Sequence, residues 1–361
     1  MRRLNKKVIV VSILAIGVLI ILSSLKSNYA FFGRINEYKN KFYGKTLNKD
    51  FQTKIKSGNL STDYTIEQAL SDIEELGLNT INIPVIVHIK DINSSEVTLD
   101  NKSKTKAIEL IKKLRWKKIN VILEAYPWIK NGEQYETQWK PEDMNQFFIS
   151  WRTKVLKPLI DEIANPYHVD SLNVASNFVN MEQNEEDWIE TIAYVRRYYS
   201  GLVTYRTNWW YKNSDFEKKL NNKLFSKVDF ISVAAYFELS DKDLNRTEEL
   251  IKAINSTTAQ NRKQNIEEQL KKLHDKWQKP IFFGELGFPR RSGAAKEPWN
   301  PEPSKVENDV EQANCFEAYR RVFEHKDWNL GFSIFAIGER SEGKNYYPSK
   351  RTVNVIKEWY R

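Results

Sequence analysis

Cysteine is almost missing from this chain, with one residue, Cys315, in 361. A disulfide framework is therefore excluded, and a chain this long buries a core without staples. Cys315 sits in the helical pattern QANCFEAYRRVF and reads as a small buried apolar residue. Histidine is equally sparse: His88, His168, His274 and His325 are scattered without ligand spacing. HExxH, CxxC and EF-hand patterns are all absent, so no metal site is expected. GxGxxG and Walker loops are absent too, so nothing announces a nucleotide phosphate or an organic cofactor.

Aromatic residues, by contrast, are plentiful: 11 Trp, 17 Tyr and 18 Phe. That richness excludes a disordered or low-complexity chain. The formal net charge is +9, but it is unevenly spread. Arg2, Arg3, Lys6, Lys7 and Lys26 lie within residues 1–26, where there is no acid, and account for five of the nine charges. The remainder carries only +4, which removes most of the support for a nucleic-acid partner.

Those N-terminal cations flank an uncharged run, Val8 to Leu25 (VIVVSILAIGVLIILSSL). As a helix it spans roughly 27 Å, close to the ~30 Å hydrocarbon core of a bilayer. The basic flank favours the cytoplasmic side, which places the rest of the chain outside the cell. A cleaved signal peptide is the competing reading. It calls for a shorter apolar stretch and an A-x-A-like site, whereas Asn28-Tyr29-Ala30 has Asn where a small residue belongs. The expected organisation is a basic tail and signal anchor over 1–26, a stalk over 27–40 and one folded domain over 41–361.

Within that domain, short β-branched runs alternate with helical patterns. Strands are expected at 42–47, 80–89, 120–129, 171–176, 202–207, 229–237, 280–287 and 330–338. Helical stretches such as 65–77, 104–116, 184–199, 265–277 and 310–323 separate them, and Gly77 is placed to cap the first. Eight strands alternating with helices predict an α/β fold, a (β/α)8 TIM barrel. An open doubly wound sheet is the alternative, but no phosphate-binding loop follows any strand. Barrel chemistry gathers at the C-terminal ends of the strands, which directs attention to Lys45, Glu124, Trp128, Asn177, Asn208, Trp209, Tyr236 and Glu285. The polar segment 241–263 reads as an exposed excursion after the sixth strand.

Glu285 stands out because it follows an apolar run, in PIFFGELG, where a buried carboxylate is costly unless it is bonded or used. Phe283-Gly284-Glu285-Leu286-Gly287-Phe288, then Ser292-Gly293-Ala294-Ala295 and Glu297-Pro298-Trp299, resemble glycoside hydrolase family 113. Gly201 to Tyr205 with Asn208-Trp209, Ser232 to Tyr236, and Gln312-Ala313 through Tyr319 extend the likeness across 41–361. The family comprises retaining β-mannanase-type barrels of a large (β/α)8 glycosidase clan. The resemblance implies that Glu285 is the nucleophile and that Tyr236 hydrogen-bonds and orients it.

A retaining glycosidase needs a second carboxyl to protonate the leaving oxygen. The family places it at the end of strand four, which here reads Val174-Ala175-Ser176-Asn177-Phe178-Val179-Asn180-Met181-Glu182. Asn177 matches the position in one alignment and Phe178 in the other, so neither leaves a carboxyl. Three readings stay open. Glu182, Glu124 or Glu339 substitutes; or the substrate carries a good leaving group or the sugar is transferred to an acceptor; or the protein binds glycan without cleaving it.

Sugars stack on aromatic rings, and Trp128, Trp209, Trp210 and Trp299 follow strands three, five and seven. Trp116, Trp151, Trp188, Trp277 and Trp328 fall in or beside helices and are read as packing. Lys45, Arg206, Arg290, Arg291, Lys296 and Arg340 form either a basic rim for an anionic glycan or solvated loop charges. The sequence thus points to a membrane-anchored, outward-facing glycosidase-like protein whose partner is a surface or wall polysaccharide. Substrate contacts are expected at Trp128, Asn208, Trp209, Trp299, Lys45 and Glu124.

Overall fold

Eight parallel strands close on themselves in the structure, a computed structural model that describes residues 54–361. They are β1 (Ile55–Leu60), β2 (Thr80–Ile89), β3 (Asn120–Ile129), β4 (Ser171–Ser176), β5 (Leu202–Thr207), β6 (Phe230–Ala234), β7 (Ile281–Leu286) and β8 (Asn329–Ile337). Each pairs with the next, and β8 returns to β1. The outer ring includes α1 (Ile66–Leu76), α2 (Asn101–Leu114), α3 (Met144–Ser150), α4 (Glu185–Tyr198) and α5 (Asn213–Asn221). It continues with α6 (Thr247–Ser256), α7 (Ile266–Trp277), α8 (Asp309–Phe323) and α9 (Lys350–Glu358). The TIM-barrel expectation holds.

The expected anchor at 8–25, the stalk, the strand at 42–47 and Lys45 lie outside the described residues. Among the described residues no helix is long and apolar enough to cross a membrane. Among the described residues the first barrel strand is 55–60. Its sequence, IKSGNL, hides it from a search for apolar runs, because its inward side chains Ser57 and Asn59 are polar. The remaining seven strands fall where the sequence placed them. Segment 241–263 is less open than expected, since it contains α6, which buries Leu250 and Ile254.

The barrel interior is layered. Ile55, Ile122, Leu202, Phe230, Phe282 and Leu330 cluster as an apolar plug at the N-terminal end of the strands. Above it the filling turns polar, and buried polar groups must be hydrogen-bonded. Ser57 Oγ donates to Asn82 Oδ1 at 2.9 Å, Asn82 Nδ2 to Asn59 Oδ1 at 3.0 Å, and Asn59 Nδ2 to the Gly284 carbonyl at 2.8 Å. This network is the floor of the region where the chemistry gathers. The helix layer is apolar: Trp151 and Trp188 are fully buried as expected, whereas Trp116 is 69% exposed. At α1, Thr65 accepts from the Gln68 amide and Gly77 takes the left-handed cap with φ 62°.

Closure of the barrel depends on a close approach at Gly331. Its φ is 140°, and a Cβ there would lie 1.9 Å from the Ile55 carbonyl oxygen. Gly331→Ala therefore strains the β1–β8 seam, and backbone strain of this kind costs about 1–3 kcal/mol before the clash is counted. Urea unfolding of the variant is expected to show a clearly lower midpoint. An unchanged midpoint would contradict this reading of the seam.

Candidate active site

One guanidinium organises the C-terminal mouth of the barrel. Strand β5 alternates, so that Tyr205 and Thr207 face the helices while Arg206 enters the barrel, fully buried. Its Nη2 reaches Glu124 Oε2 on β3 at 2.6 Å and Asn59 Oδ1 at 3.2 Å, and its Nη1 reaches Glu285 Oε1 on β7 at 2.7 Å. Gly284 makes room for it: a Cβ there would lie 1.9 Å from Ser232 Oγ and 2.8 Å from Arg206 Nε.

Glu285 is 8% exposed, one residue before the end of β7. Besides Arg206, Asn177 Nδ2 donates to its Oε1 at 3.3 Å, and Tyr236 hydrogen-bonds to the same carboxyl. Burial raises the Glu285 carboxyl above the ordinary carboxylate range, against the pull of the Arg206 charge. Burial and the Glu285 charge hold the Tyr236 phenol well above its usual value, so it stays protonated and donates. Tyr236 thus lies where the resemblance implied.

The end of β4 settles which side chain faces Glu285. Asn177 takes a left-handed conformation, φ 59°, which Asn tolerates, and its backbone N–H donates to the Arg206 carbonyl at 3.0 Å. The next residue, Phe178, turns away from the mouth and is fully buried between Trp139 and Trp151, with ring centroids at 5.2 and 5.1 Å. An amide, and no carboxyl, therefore stands beside Glu285 at the end of β4.

A residue that the sequence does not point to completes the group. Asn177 Nδ2 also donates to Glu136 Oε1, at 3.2 Å, in the loop that follows β3. Because one nitrogen contacts both carboxylates, at 3.2 and 3.3 Å, the two bonded oxygens lie no more than about 6.5 Å apart. Glu136 opens a short turn, Glu136–Gln138, and is half-buried. Trp139 anchors that turn: it is fully buried against Phe178 and Phe147 and donates to the Ser94 carbonyl at 2.9 Å. Asn180 Nδ2 ties the loop down again through the Thr137 and Trp139 carbonyls, both at 3.2 Å. Desolvation, and then the Glu285 charge, push the Glu136 carboxyl up to about 7. Glu136 lies beyond the end of β3, in a loop that carries no periodic signal in the sequence.

The three carboxyls expected as substitutes are placed differently. Glu182 lies behind β5, where its carboxylate accepts from Lys219 Nζ and Thr207 Oγ1, both at 2.7 Å. It serves a structural ion pair and does not face the mouth. Glu124 lies below Glu285, buried and held by Arg206 and by Asn173 Nδ2 at 3.3 Å, as an ion-pair partner of the floor. Glu339 lines the cleft, but its Oε1 caps the amides of Arg340 and Ser341 at 3.0 and 2.8 Å. Arg340 pairs instead with Asp72 and Glu75 of α1.

A cleft of about 280 Å³ opens above the ends of β1, β3 and β8. Tyr126, Trp128, Phe335 and Tyr346 are among its walls. Tyr346 and Phe335 contact Tyr236 edge-on at 6.3 and 6.1 Å, which joins the cleft to the Glu285 site. Trp209 is half-buried with its ring against Tyr236 at 5.4 Å. Asn208 beside it is buried. Trp299 is 44% exposed, and its Nε1 donates to Glu238 at 3.2 Å. Trp210 does not line the cleft: it is buried between Phe216 and Phe237 and donates to Gln269 at 2.7 Å. The basic rim also dissolves in part, because Arg206 is interior and Arg290 and Arg340 are paired with acids. Among the described residues no group of His, Cys, Asp and Glu is arranged to hold a metal ion.

Removing Arg206 leaves two buried carboxylates without their cation, which typically costs about 3–5 kcal/mol. Arg206→Met is expected to lower the free energy of unfolding by that order, as read from urea titration at neutral pH. A loss below about 1 kcal/mol would mean that the guanidinium does not hold this site together.

The family model of glycoside hydrolase family 113 matches residues 50–346. A β-mannanase of that family from Alicyclobacillus acidocaldarius, solved in complex with ManMIm, superposes with a TM-score of 0.68 at 18% identity, covering 86% of this chain and 98% of that one. A second family 113 structure, a β-1,4-mannanase, gives a TM-score of 0.68 at 21% identity over 86% of this chain and 99% of that chain. A β-D-glucuronidase from Dictyoglomus thermophilum gives 0.56 at 16% identity over 86% of this chain and 51% of that one, a likeness of fold. Comparison with curated protein sequences gives no match. With the family model spanning most of the chain and the barrel closed as in its mannanases, this protein belongs to glycoside hydrolase family 113.

Proposed function

We propose that the protein is a membrane-anchored glycosidase that faces outward and acts on a cell-surface or wall polysaccharide through Glu285, by hydrolysis or by transfer to an acceptor. One observation carries this reading: Glu285 is held at the barrel mouth by Arg206, Tyr236 and Asn177, beside an aromatic cleft. Three donors on one carboxyl fix its orientation and work against the burial that raises it, as a buried nucleophile requires. Attack by a Glu285 oxygen on the anomeric carbon forms a glycosyl ester as the bond to the leaving oxygen breaks. Tyr126, Trp128 and Trp209 are suited to stack on sugar faces, and Trp299 marks the outer edge of that surface. The apolar run at 8–25 behind its basic flank supports the anchor and the outward orientation. The family's mannanases make a β-mannosyl glycan the first candidate, and a tethered enzyme meets the polymers of its own envelope first.

A second reading has its own observation. The amide of Asn177 stands at the end of β4 and cannot donate a proton to a leaving alkoxide. In that reading the cleft binds glycan and the chemistry is lost.

An activated substrate separates the two. The full chain is incubated with dinitrophenyl 2-deoxy-2-fluoro glycosides of the β-mannosyl, β-glucosyl and β-glucuronyl series, whose leaving group needs no acid. Mass spectrometry is expected to find one glycosyl adduct on the peptide containing Glu285, and none with Glu285→Gln. No adduct with any of the three sugars, alongside retained glycan binding, would replace the enzyme reading with the binding one.

A further inference from the structure

We propose that Glu136 is the general acid/base of this barrel, entering from the loop after β3 to supply the carboxyl that the end of β4 lacks. The inference rests on the reading of Glu285 as nucleophile.

The geometry comes first. Asn177 Nδ2 lies 3.2 Å from Glu136 Oε1 and 3.3 Å from Glu285 Oε1, so the carboxyl oxygens are within about 6.5 Å of each other. A retaining pair needs about 5–5.5 Å. The Asn177 amide thus spaces two carboxyls, a role open to an amide though not to a catalytic acid. Packing and hydrogen bonds hold the loop in place. Trp139 is buried against Phe178, the neighbour of Asn177, and Asn180 holds the Thr137 and Trp139 carbonyls. Glu136 is half-buried, so it reaches the mouth while losing much of its hydration.

Charge comes second. Three carboxyls, Glu124, Glu285 and Glu136, surround the single cation Arg206. The guanidinium bonds directly to the first two, and among the described residues no ion pair reaches Glu136. The charged and titratable groups facing Glu136 are Glu285 from β7, Arg206 from β5 and Tyr126 from β3. Desolvation and the Glu285 charge raise its carboxyl to about 7, so a large share of it is protonated at neutral pH and it is matched to general acid/base work.

The two steps balance. In the first, a Glu285 oxygen bonds to the anomeric carbon, the bond from that carbon to the leaving oxygen breaks, and the Glu136 proton passes to that oxygen. Glu285 is then an ester without charge. The Glu285 charge, which had added to burial in holding the proton on Glu136, is gone, and the Glu136 carboxylate can act as a base. In the second step Glu136 takes a proton from water, or from an acceptor hydroxyl, whose oxygen bonds to the anomeric carbon. The ester bond to Glu285 breaks, and both carboxyls return to their starting states with configuration retained.

The test compares wild type, Glu136→Ala and Glu136→Gln on dinitrophenyl β-mannoside and on a β-mannan oligosaccharide, with the β-glucuronide pair run in parallel. Glu136→Ala is expected to lose ~10²–10⁴-fold on the oligosaccharide. With the dinitrophenyl glycoside it keeps its burst of dinitrophenolate, turns over slowly, and is rescued by azide with formation of a β-glycosyl azide. In wild type kcat/KM for the oligosaccharide falls as pH rises through about 7, because the acid must be protonated, and Glu136→Gln removes that limb. The retained burst also shows that the variant is folded. Oligosaccharide hydrolysis by Glu136→Ala within about threefold of wild type would overturn the assignment, since a lost acid/base costs far more. So would an equal loss on both substrates, which marks a structural role. In either case wild type still labels on Glu285; failure of that labelling defeats the nucleophile itself.

Discussion

Everything at the mouth of this barrel depends on one guanidinium shared between two carboxylates. Arg206 carries Glu124 on one nitrogen at 2.6 Å and Glu285 on the other at 2.7 Å, inside a region closed to solvent. A buried carboxylate is tolerated only when it is paired and hydrogen-bonded. The polar floor beneath, from Ser57 through Asn82 and Asn59, exists to satisfy this cluster. So does the absence of a side chain at Gly284, where any Cβ would occupy the space of Ser232 and crowd the guanidinium. The interior is therefore apolar at the bottom, where it closes the barrel, and polar at the top, where it positions an acid.

The same cluster explains why the site holds carboxyls in unequal states. One cation cannot neutralise three acids in a desolvated pocket: burial raises both Glu285 and Glu136, and the guanidinium bonds only the first of these two. Glu285 keeps three donors, one of them the guanidinium, while Glu136 has the side-chain amide of Asn177 and its own backbone amide. Environment alone thus separates one carboxyl fit to attack from another fit to hold a proton. Asn177 fits this picture as a spacer, its left-handed backbone aiming the amide between the two acids while Phe178 is buried behind it.

Most of the fold was legible because parallel barrel strands packed on both faces read as apolar runs, and seven of the eight did. β1 was hidden for the reason that makes it useful: Ser57 and Asn59 face the polar floor, and Gly58 lies against Ile337, where a Cβ would clash at 2.4 Å. Glu285 and Tyr236 were legible because strand ends are where such barrels work. Arg206 was visible at a strand end, but a basic residue there reads as rim until the alternation along β5 turns it inward. Glu136 was invisible because its position is made by tertiary packing of a loop, through Trp139 on Phe178, and periodicity carries no information about that contact. Trp210 and Trp299 show the same limit for aromatics, as one became core and the other stayed half exposed.

Glu285 and Glu136 form a coupled pair, in which the charge of the first adds to burial in raising the proton affinity of the second. Carbon-13 NMR of the glutamate-labelled protein measures this directly, by titrating side-chain carboxyls before and after Glu285 is esterified with a fluoroglycoside. The account predicts one carboxyl titrating near 7 in the free protein, absent in Glu136→Gln, that moves down once the Glu285 charge is removed. A Glu136 carboxyl that titrates in the ordinary range, or does not respond to esterification of Glu285, would contradict it.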